Sequence, residues 1–284
     1  MASPPPASAT PANGNNLAAS AAAAAAYSRW GEPLTSQFVP AALAAAGPIG
    51  PTSRVLDVAT GTGVAAVAAA AAGAAEVLAI DFSPGMVAVA AGVLAPYPAA
   101  KAVVMDGTAL DVPTGAYDVV LSVFGVVTFP DWQAGLAEAV RAAAPGGRVV
   151  LTTWASSRGG GFVSVFMDTY VTTFPDKKPP VLGPGVDALA TAAALVDACT
   201  SAGLERVTVE DENALWTGPH VDSVVTELDP MLRRFPFYAA LDDAERATLS
   251  GPLQAALARY ADEADGIVRI PCVARVTVAY KPCA

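Results

Sequence analysis

Short apolar runs of strand length alternate with longer helix-forming runs through the first part of the chain. The strand-like runs cover residues 55–58, 77–80, 101–105, 117–123 and 148–153. Helix-forming segments separate several of them; the clearest are the alanine-rich 64–72, the segment from Pro84, with Ser83 as its N-cap, and 131–144. Strands that alternate with helices at this spacing predict a doubly wound α/β fold with a parallel sheet.

The second part of the chain has a different pattern. Residues 155–185 are irregular, with a glycine triplet and several prolines around a short helix at 162–174. A connection of this length predicts a functional cap or insertion. Helical segments then follow at 186–201, 221–237 and 242–264, and strand-like segments at 204–210 and 267–280. The last segment alternates with period two, as an antiparallel strand does, so we expect a mostly parallel seven-stranded sheet with an antiparallel last strand and a helical cap.

The pattern also suggests where the folded domain begins. Residues 1–26 carry no charged side chain and are rich in Ala, Ser, Pro and Asn, which is typical of a disordered leader. A transit peptide is the alternative, although the first basic residue is Arg29. We therefore expect a leader at 1–26 and one domain at 27–284, with cap elements around 155–185 and 214–264.

Composition narrows the class of function. The formal net charge of −10 argues against a nucleic-acid partner, because such proteins usually present a basic surface. The three cysteines are far apart in sequence and form no CxxC pair, which favours a reducing compartment such as the cytoplasm or an organellar stroma or matrix. The single histidine argues against a His-rich metal site, and no apolar run has the length and bulk of a membrane helix, so we expect neither a bound metal nor a membrane span.

Most of the candidate ligand-binding residues lie in residues 54–81, which form one strand–turn–helix–strand unit. Gly61 and Gly63 lie in the turn, where a backbone can approach a ligand closely, and Asp81 ends the second strand, where a ribose would lie. The segment Gly61-x-Gly63-x-x-Ala66 also fits the dinucleotide fingerprint, so a nicotinamide enzyme is one alternative. Asp57 argues against it, because a carboxylate at this turn suits a cationic cofactor better than a pyrophosphate.

Several segments in order resemble one family. VLDVATGTG resembles motif I of the class I S-adenosylmethionine-dependent methyltransferases, and EVLAIDFSPGMV resembles their second-strand motif. MDGTAL, YDVVLSVFGV and APGGRVVLTTW are similar to the later motifs of the same family, and the likeness runs from about residue 27 to 282. The broad group with the nearest likeness contains the ubiquinone and menaquinone biosynthesis C-methyltransferases.

The resemblance implies S-adenosylmethionine as the cofactor and assigns residues to it. Asp81 would accept the ribose hydroxyls, Asp106 and Gly107 would hold the adenine, and Phe82 or Met86 would pack on its ring. The full set implied for the cofactor is Asp57, Ala59, Thr60, Gly61, Thr62, Gly63, Asp81, Phe82, Met86, Asp106, Gly107 and Ser122.

The sequence defines the binding site of the methyl acceptor less clearly than that of the cofactor. Aromatic residues near the strand ends are the candidates for a substrate pocket: Tyr27, Trp30, Phe124 and Trp154. His220 is the one side chain that titrates near neutrality by default, which makes it the candidate general base. We therefore expect a methyltransferase for a small, partly apolar molecule; an NAD(P)-dependent oxidoreductase and a non-catalytic cofactor-binding module are the alternatives.

Overall fold

A computed structural model describes residues 21–283, and the sheet within it has seven strands in the order β3-β2-β1-β4-β5-β7-β6. The strands are β1 (Arg54–Val58), β2 (Glu76–Asp81), β3 (Ala100–Val104), β4 (Tyr117–Val123), β5 (Ala143–Trp154), β6 (Glu205–His220) and β7 (Ile267–Tyr280). Strands β1 to β5 pair in parallel, and β7 is antiparallel to both of its neighbours. The predicted doubly wound sheet with an antiparallel last strand is confirmed.

Helices cover both faces of the sheet and its carboxyl edge. They are α1 (Ala21–Trp30), α2 (Glu32–Thr35), α3 (Val39–Ala46), α4 (Val64–Ala71), α5 (Pro84–Leu94), α6 (Trp132–Ala142), α7 (Phe162–Thr173), α8 (Pro184–Ala188), α9 (Ala192–Ser201), α10 (Val224–Leu232), α11 (Pro236–Ala239) and α12 (Asp243–Ala258). Helix α5 begins as predicted, since the Ser83 side chain accepts a hydrogen bond from the Met86 N–H.

Each face of the sheet buries its own apolar layer. On one face Leu56, Val120 and Leu151 pack with α6, and on the other Val55, Val119 and Val150 pack with α3 and α4. Consecutive residues of a strand thus point into opposite layers. Both faces are apolar, which explains why the inner strands read as continuous apolar runs rather than as alternating ones.

Strand β5 begins earlier than predicted. The helix expected at 131–144 ends at Ala142, and Ala143 already pairs with Tyr117. The register then shifts before Val119 pairs with Arg148, so the Pro-Gly-Gly segment forms a bulge inside the strand instead of a turn before it. Gly146 has a φ of 72° there, a backbone conformation that favours glycine.

Three predicted helices were too long. The segment 186–201 is two helices, because Thr191 lies in extended backbone and caps α9. The segment 221–237 breaks at Phe235, which precedes a proline and is therefore extended. Helix α12 ends at Ala258, six residues before the predicted end at 264.

The largest difference from the prediction is the length of β6. It was expected at 204–210 but continues to His220 and stays paired with β7. Strand β5 ends at Trp154, which is opposite Ala274, so the ribbon formed by β6 and β7 extends past the carboxyl edge of the sheet. Helices α10 to α12 connect the two strands of this ribbon, and α7 packs on α12 to form the helical cap.

The N-terminal prediction is only partly covered by the structure. Residues 1–20 lie outside the described range, so the leader remains a prediction there. Residues 21–26 belong to α1, and the domain boundary at residue 26 stays a prediction. Between residues 21 and 283, no helix is long and apolar enough to cross a membrane.

Candidate cofactor and acceptor site

The loop after β1 is strained where it would meet a ligand. Ala59, Gly61 and Gly63 all have positive φ, with values of 58°, 56° and 94°. A non-glycine residue such as Ala59 pays an energetic penalty for this conformation, which persists where the surroundings hold it. Here the Thr60 N–H donates to the Ile80 carbonyl at 2.8 Å, which fastens the loop to β2.

Asp81 holds the same loop from the end of β2. One carboxylate oxygen accepts from the Gly61 N–H and the other from the Ser83 N–H, both at 2.9 Å. Burial raises the pKa of the Asp81 carboxyl, while these two N–H groups and the Arg234 charge oppose that rise. Each oxygen retains a further lone pair, so Asp81 can still accept two hydroxyl groups.

Asp57 lies beneath the loop and is almost completely buried, with 1% of its surface exposed. Its carboxylate accepts from the Thr60 hydroxyl at 2.6 Å and from the Ala66 N–H in the first turn of α4. Burial nevertheless raises the pKa of Asp57 to about 6, since desolvation outweighs both hydrogen bonds. A cation beside this carboxylate would reverse much of that cost.

The predicted adenine residues lie around the ends of β2 and β3. Phe82 is 62% exposed beside the buried Asp81, and Met86 is buried in the first turn of α5. Asp106 is exposed, and one of its oxygens accepts from both the N–H and the hydroxyl of Thr108. Gly107 is required by packing, because a Cβ there would lie 2.6 Å from the Phe129 ring.

The end of β4 presses against the loop after β1. Phe124 has a φ of 57°, and a Cβ on Gly125 would lie 2.6 Å from the Ala59 Cβ. The Ser122 hydroxyl donates to the Val58 carbonyl and accepts from the Val126 N–H, each at 3.0 Å. Ser122 thus joins the two strand ends, and its role as a direct cofactor ligand stays a prediction.

The structure brings two of the four predicted acceptor residues together. The Phe124 and Trp154 rings stack with centroids 4.1 Å apart, and the Phe38 ring meets both edge-on. The other face of Trp154 is covered by Gly160, where a Cβ would lie 2.3 Å from the indole. Phe124 and Trp154 are half-buried and form an apolar surface next to the end of β4, with the buried Phe38 ring behind them.

Tyr27 and Trp30 are placed differently. The Tyr27 ring reaches the glycine loop, 3.9 Å from the position of a Cβ on Gly61, and its hydroxyl lies 2.7 Å from that of Thr35. The Trp30 carbonyl accepts from the Trp216 indole N–H at 2.9 Å, which ties the end of α1 to the β6–β7 ribbon. Tyr27 therefore lies on the cofactor side of the edge and Trp30 at the junction with the cap.

A small cavity of about 30 Å³ opens between the glycine loop and the N-terminal segment. Its polar lining comes from Tyr27, Glu32, Thr35, Ser36, Asp57, Thr60 and Thr62. Two carboxylates and several hydroxyls surround it, and none of the residues that line it is a Lys, Arg or His. This donor set fits a sulfonium or ammonium group and disfavours a pyrophosphate, so the residues present suit S-adenosylmethionine. A larger hollow, of about 360 Å³, lies among α10 to α12 and shares no residue with this site.

Comparison with known proteins identifies the fold family. Residues 55–147 match the model of a methyltransferase domain. The demethylmenaquinone methyltransferase of Mycolicibacterium gilvum is 35% identical over 127 residues, which cover 45% of this chain and 53% of that protein. This part of the chain is similar to the class I S-adenosylmethionine-dependent methyltransferases.

Other similarities extend over more of the chain. An uncharacterized protein of Mycobacterium tuberculosis is 32% identical over 189 residues, covering 60% of this chain and 66% of that one. The structure of phosphoethanolamine N-methyltransferase 2 from Haemonchus contortus with S-adenosyl-L-methionine superimposes with a TM-score of 0.53 at 20% identity, over 87% of this chain and 52% of that one. The chain spans about half the length of the demethylmenaquinone methyltransferases it matches.

His220 lies far along the β6–β7 ribbon, away from the glycine loop. It pairs with Ile267, seven residues beyond the Ala274 that faces Trp154, which corresponds to roughly 23 Å of strand. Its side chain is half-exposed, and its Nδ1 lies 3.4 Å from an Asp222 carboxylate oxygen. The sequence predicted that the sixth strand ends at residue 210, before His220, whereas His220 is the last residue of β6; its role as a general base stays a prediction.

Two groups of residues near the candidate cofactor site were not predicted from the sequence. Arg141 donates to the Leu110 and Val112 carbonyls at 2.8 Å, and Glu138 accepts from the Leu110 N–H at 2.7 Å, so α6 holds the loop that follows Asp106. The other group is Glu32 and Arg234, which approach the glycine loop from the N-terminal segment and the cap. Only the i, i+3 spacing of Glu138 and Arg141 was visible in the sequence.

Proposed function

We propose that the protein transfers the methyl group of S-adenosylmethionine to a small, partly apolar molecule. The observation that carries the proposal is the strand-end arrangement of Asp81, Asp57 and the glycine loop. Asp81 presents accepting oxygens where ribose hydroxyls bind in this family, and Asp57 adds negative charge beside a cavity that lacks a cationic lining residue.

The cofactor supplies a methyl group on a sulfonium, which is already a strong electrophile. In the transfer the nucleophile of the acceptor bonds to the methyl carbon, and the carbon–sulfur bond breaks with its electron pair going to sulfur. The chain therefore contributes mainly position and exclusion of water, effects that are worth roughly 7–11 kcal/mol when alignment is good. Asp81 and the loop fix the nucleoside, and the surface of Phe124 and Trp154, supported by the buried Phe38 ring, can orient an apolar acceptor.

The acceptor class is supported by two findings. The aromatic surface beside β4 favours an apolar or planar group, because stacked and edge-on rings attract such groups. Relatives with sequence similarity over part of their length are demethylmenaquinone methyltransferases. Demethylmenaquinone with a shortened side chain is therefore one acceptor to test, alongside phenols and amines of similar size.

Cofactor specificity is tested by calorimetric titration with S-adenosylhomocysteine and with NAD in parallel. We expect binding of S-adenosylhomocysteine and no detectable heat with NAD. Binding of NAD alone would reverse the proposal in favour of the oxidoreductase.

Methyl transfer itself is tested with S-adenosylmethionine labelled in the methyl group and an acceptor panel that includes a metabolite extract. We expect label in at least one fraction that partitions into organic solvent. Cofactor binding without transfer to any fraction would favour the non-catalytic module.

A further inference from the structure

Glu32 is the feature of the cofactor cavity that neither the motifs nor the family likeness assign. It is the first residue of α2, it is half-buried, and it lines the same cavity as Asp57. Among the described residues, no hydrogen bond or salt bridge engages its carboxylate. Its charge contributes to the raised pKa of Tyr27, which places it close to that ring.

The turn between α1 and α2 delivers Glu32 to this position. The Gly31 N–H donates to the Tyr27 carbonyl at 2.8 Å, and a Cβ on Gly31 would lie 2.5 Å from the Tyr27 ring. A side chain at Gly31 would thus push Tyr27 off the turn. The Thr35 hydroxyl contacts the Tyr27 hydroxyl at 2.7 Å from α2. These contacts fix the turn that positions Glu32.

The two carboxylates of the cavity have different capacities. The Asp57 carboxylate is buried and already accepts from Thr60 and Ala66 within the loop. It can supply charge, but it lies almost completely buried beneath the loop, with 1% of its surface exposed. Glu32 retains its accepting positions, and it is the carboxylate that a ligand ammonium group could reach with a hydrogen bond.

We propose that Glu32 binds the α-ammonium group of the cofactor's methionine moiety, with Asp57 as the second negative charge. The proposal rests on the proposed function. The cofactor carries an adenosine, whose ribose is assigned to Asp81, and an amino-acid arm that must extend from it along the loop. The Glu32 cavity lies on that loop, bounded by Thr60, Thr62 and Val123 at the end of β4.

The test compares two ligands that differ in one group. S-adenosylhomocysteine carries the ammonium group, and its desamino analogue has hydrogen in that place. Calorimetry with both ligands is carried out on the unmodified protein, on Glu32→Gln and on the control Glu210→Gln, which removes one charge from the exposed face of β6. Circular dichroism establishes that each variant is folded.

We expect Glu32→Gln to weaken S-adenosylhomocysteine by about tenfold, as loss of one charged hydrogen bond predicts, and to change the desamino analogue by less than about twofold. Glu210→Gln should alter neither. Equal weakening of both ligands, or no weakening of either, would overturn the role of Glu32. If the unmodified protein fails to bind S-adenosylhomocysteine, the proposed function fails instead, so the two failures are distinguishable.

Discussion

The ends of β1 and β2 and the ends of β4 and β5 share one edge of the sheet, yet they are built in different ways. At β1 and β2 short polar side chains bond to backbone N–H groups a few residues away or on the next strand, as Asp81 does with Gly61 and Ser83. At β4 and β5 the site is made of rings, and Phe124 and Trp154 meet Phe38 from a distant helical segment. The first region recognises a ligand by directed hydrogen bonds, and the second by shape and apolar area.

Substitutions in the two regions should therefore have different effects on binding. A carboxylate at a strand end must keep its position to within a hydrogen-bond length, so substitutions there should act mainly on cofactor affinity. A substitution in an aromatic surface should cost less binding free energy, because the contribution of that surface is spread over many weak contacts. Single substitutions in each half test whether cofactor affinity and the use of the acceptor can be changed separately.

The largest effect is expected for Asp81→Ala. The change removes the acceptors for the ribose hydroxyls and also frees the Gly61 and Ser83 N–H groups. Loss of two charged hydrogen bonds at roughly 1.5–3 kcal/mol each predicts a fall in S-adenosylhomocysteine affinity of about 3 kcal/mol or more. Calorimetry measures it, with Asp187→Ala on the exposed face of α8 as the control. Unchanged affinity would remove Asp81 from the site.

Asp57→Asn should separate stability from binding. The Asp57 carboxyl has a pKa of about 6 in the folded protein against 3.8 for the ordinary group, so the folded state binds the proton more tightly. The charged form therefore destabilises the fold, a cost that is absent below about pH 4 and complete above about pH 6. Two units of pKa correspond to about 3 kcal/mol, and Asn can still accept from Thr60.

We therefore expect Asp57→Asn to raise the free energy of unfolding by about 2–3 kcal/mol at pH 7 and to leave it unchanged at pH 4. Urea denaturation at both pH values measures this. Cofactor affinity should fall in the same variant, since a negative charge beside the ligand cation is lost. A variant that is less stable at pH 7 than the original protein would show that Asp57 is held by interactions stronger than its burial cost.

The sequence predicted the first half of this edge well because its determinants are local. The glycines of the loop, Asp81 at a strand end and the Ser83 cap each follow from a spacing of a few residues, and the structure has them where the pattern placed them. Strand β4 and strand β7 were predicted to the residue, because apolar runs and period-two alternation mark strands directly.

The remaining parts of the site depend on contacts that no local pattern records. Glu32 reaches the cavity only because a glycine turn packs on Tyr27, and Phe38 reaches Trp154 across more than a hundred residues of chain. The extension of β6 to His220 was missed because Pro219 and Gly218 are typical of loops, whereas pairing with β7 continues past them. Position along the ribbon, which decides what His220 can reach, is a tertiary property.

A smaller effect is expected for Trp154→Phe. The change keeps an aromatic ring beside Phe124 but removes part of the stacked area, an interaction worth roughly 0.5–1.5 kcal/mol. We expect kcat/KM for an accepted substrate to fall about two- to tenfold, with the affinity for S-adenosylhomocysteine unchanged. Trp132→Phe, which alters a partly buried indole at the start of α6, is the control. A parallel loss of cofactor affinity would show that the two halves of the edge are not separable.

The smallest effect, Gly61→Ala, tests the boundary between the halves. Gly61 has a φ of 56°, and an added Cβ would meet only the Tyr27 ring, at 3.9 Å, so the change introduces backbone strain without a clash. Gly73→Ala is the matched control, because Gly73 has a φ of 90° and no atom near the added Cβ.

Both variants should lose about 1 kcal/mol of unfolding free energy in urea denaturation, the cost of left-handed backbone for a residue other than glycine. Only Gly61→Ala should also weaken S-adenosylhomocysteine, because backbone strain there displaces the N–H that donates to Asp81, and the added Cβ would occupy the surface between the loop and Tyr27. If the two variants bind the cofactor equally well, close approach of the backbone at Gly61 does not contribute to binding, and the hydrogen bonds of Asp81 account for recognition on this side of the edge.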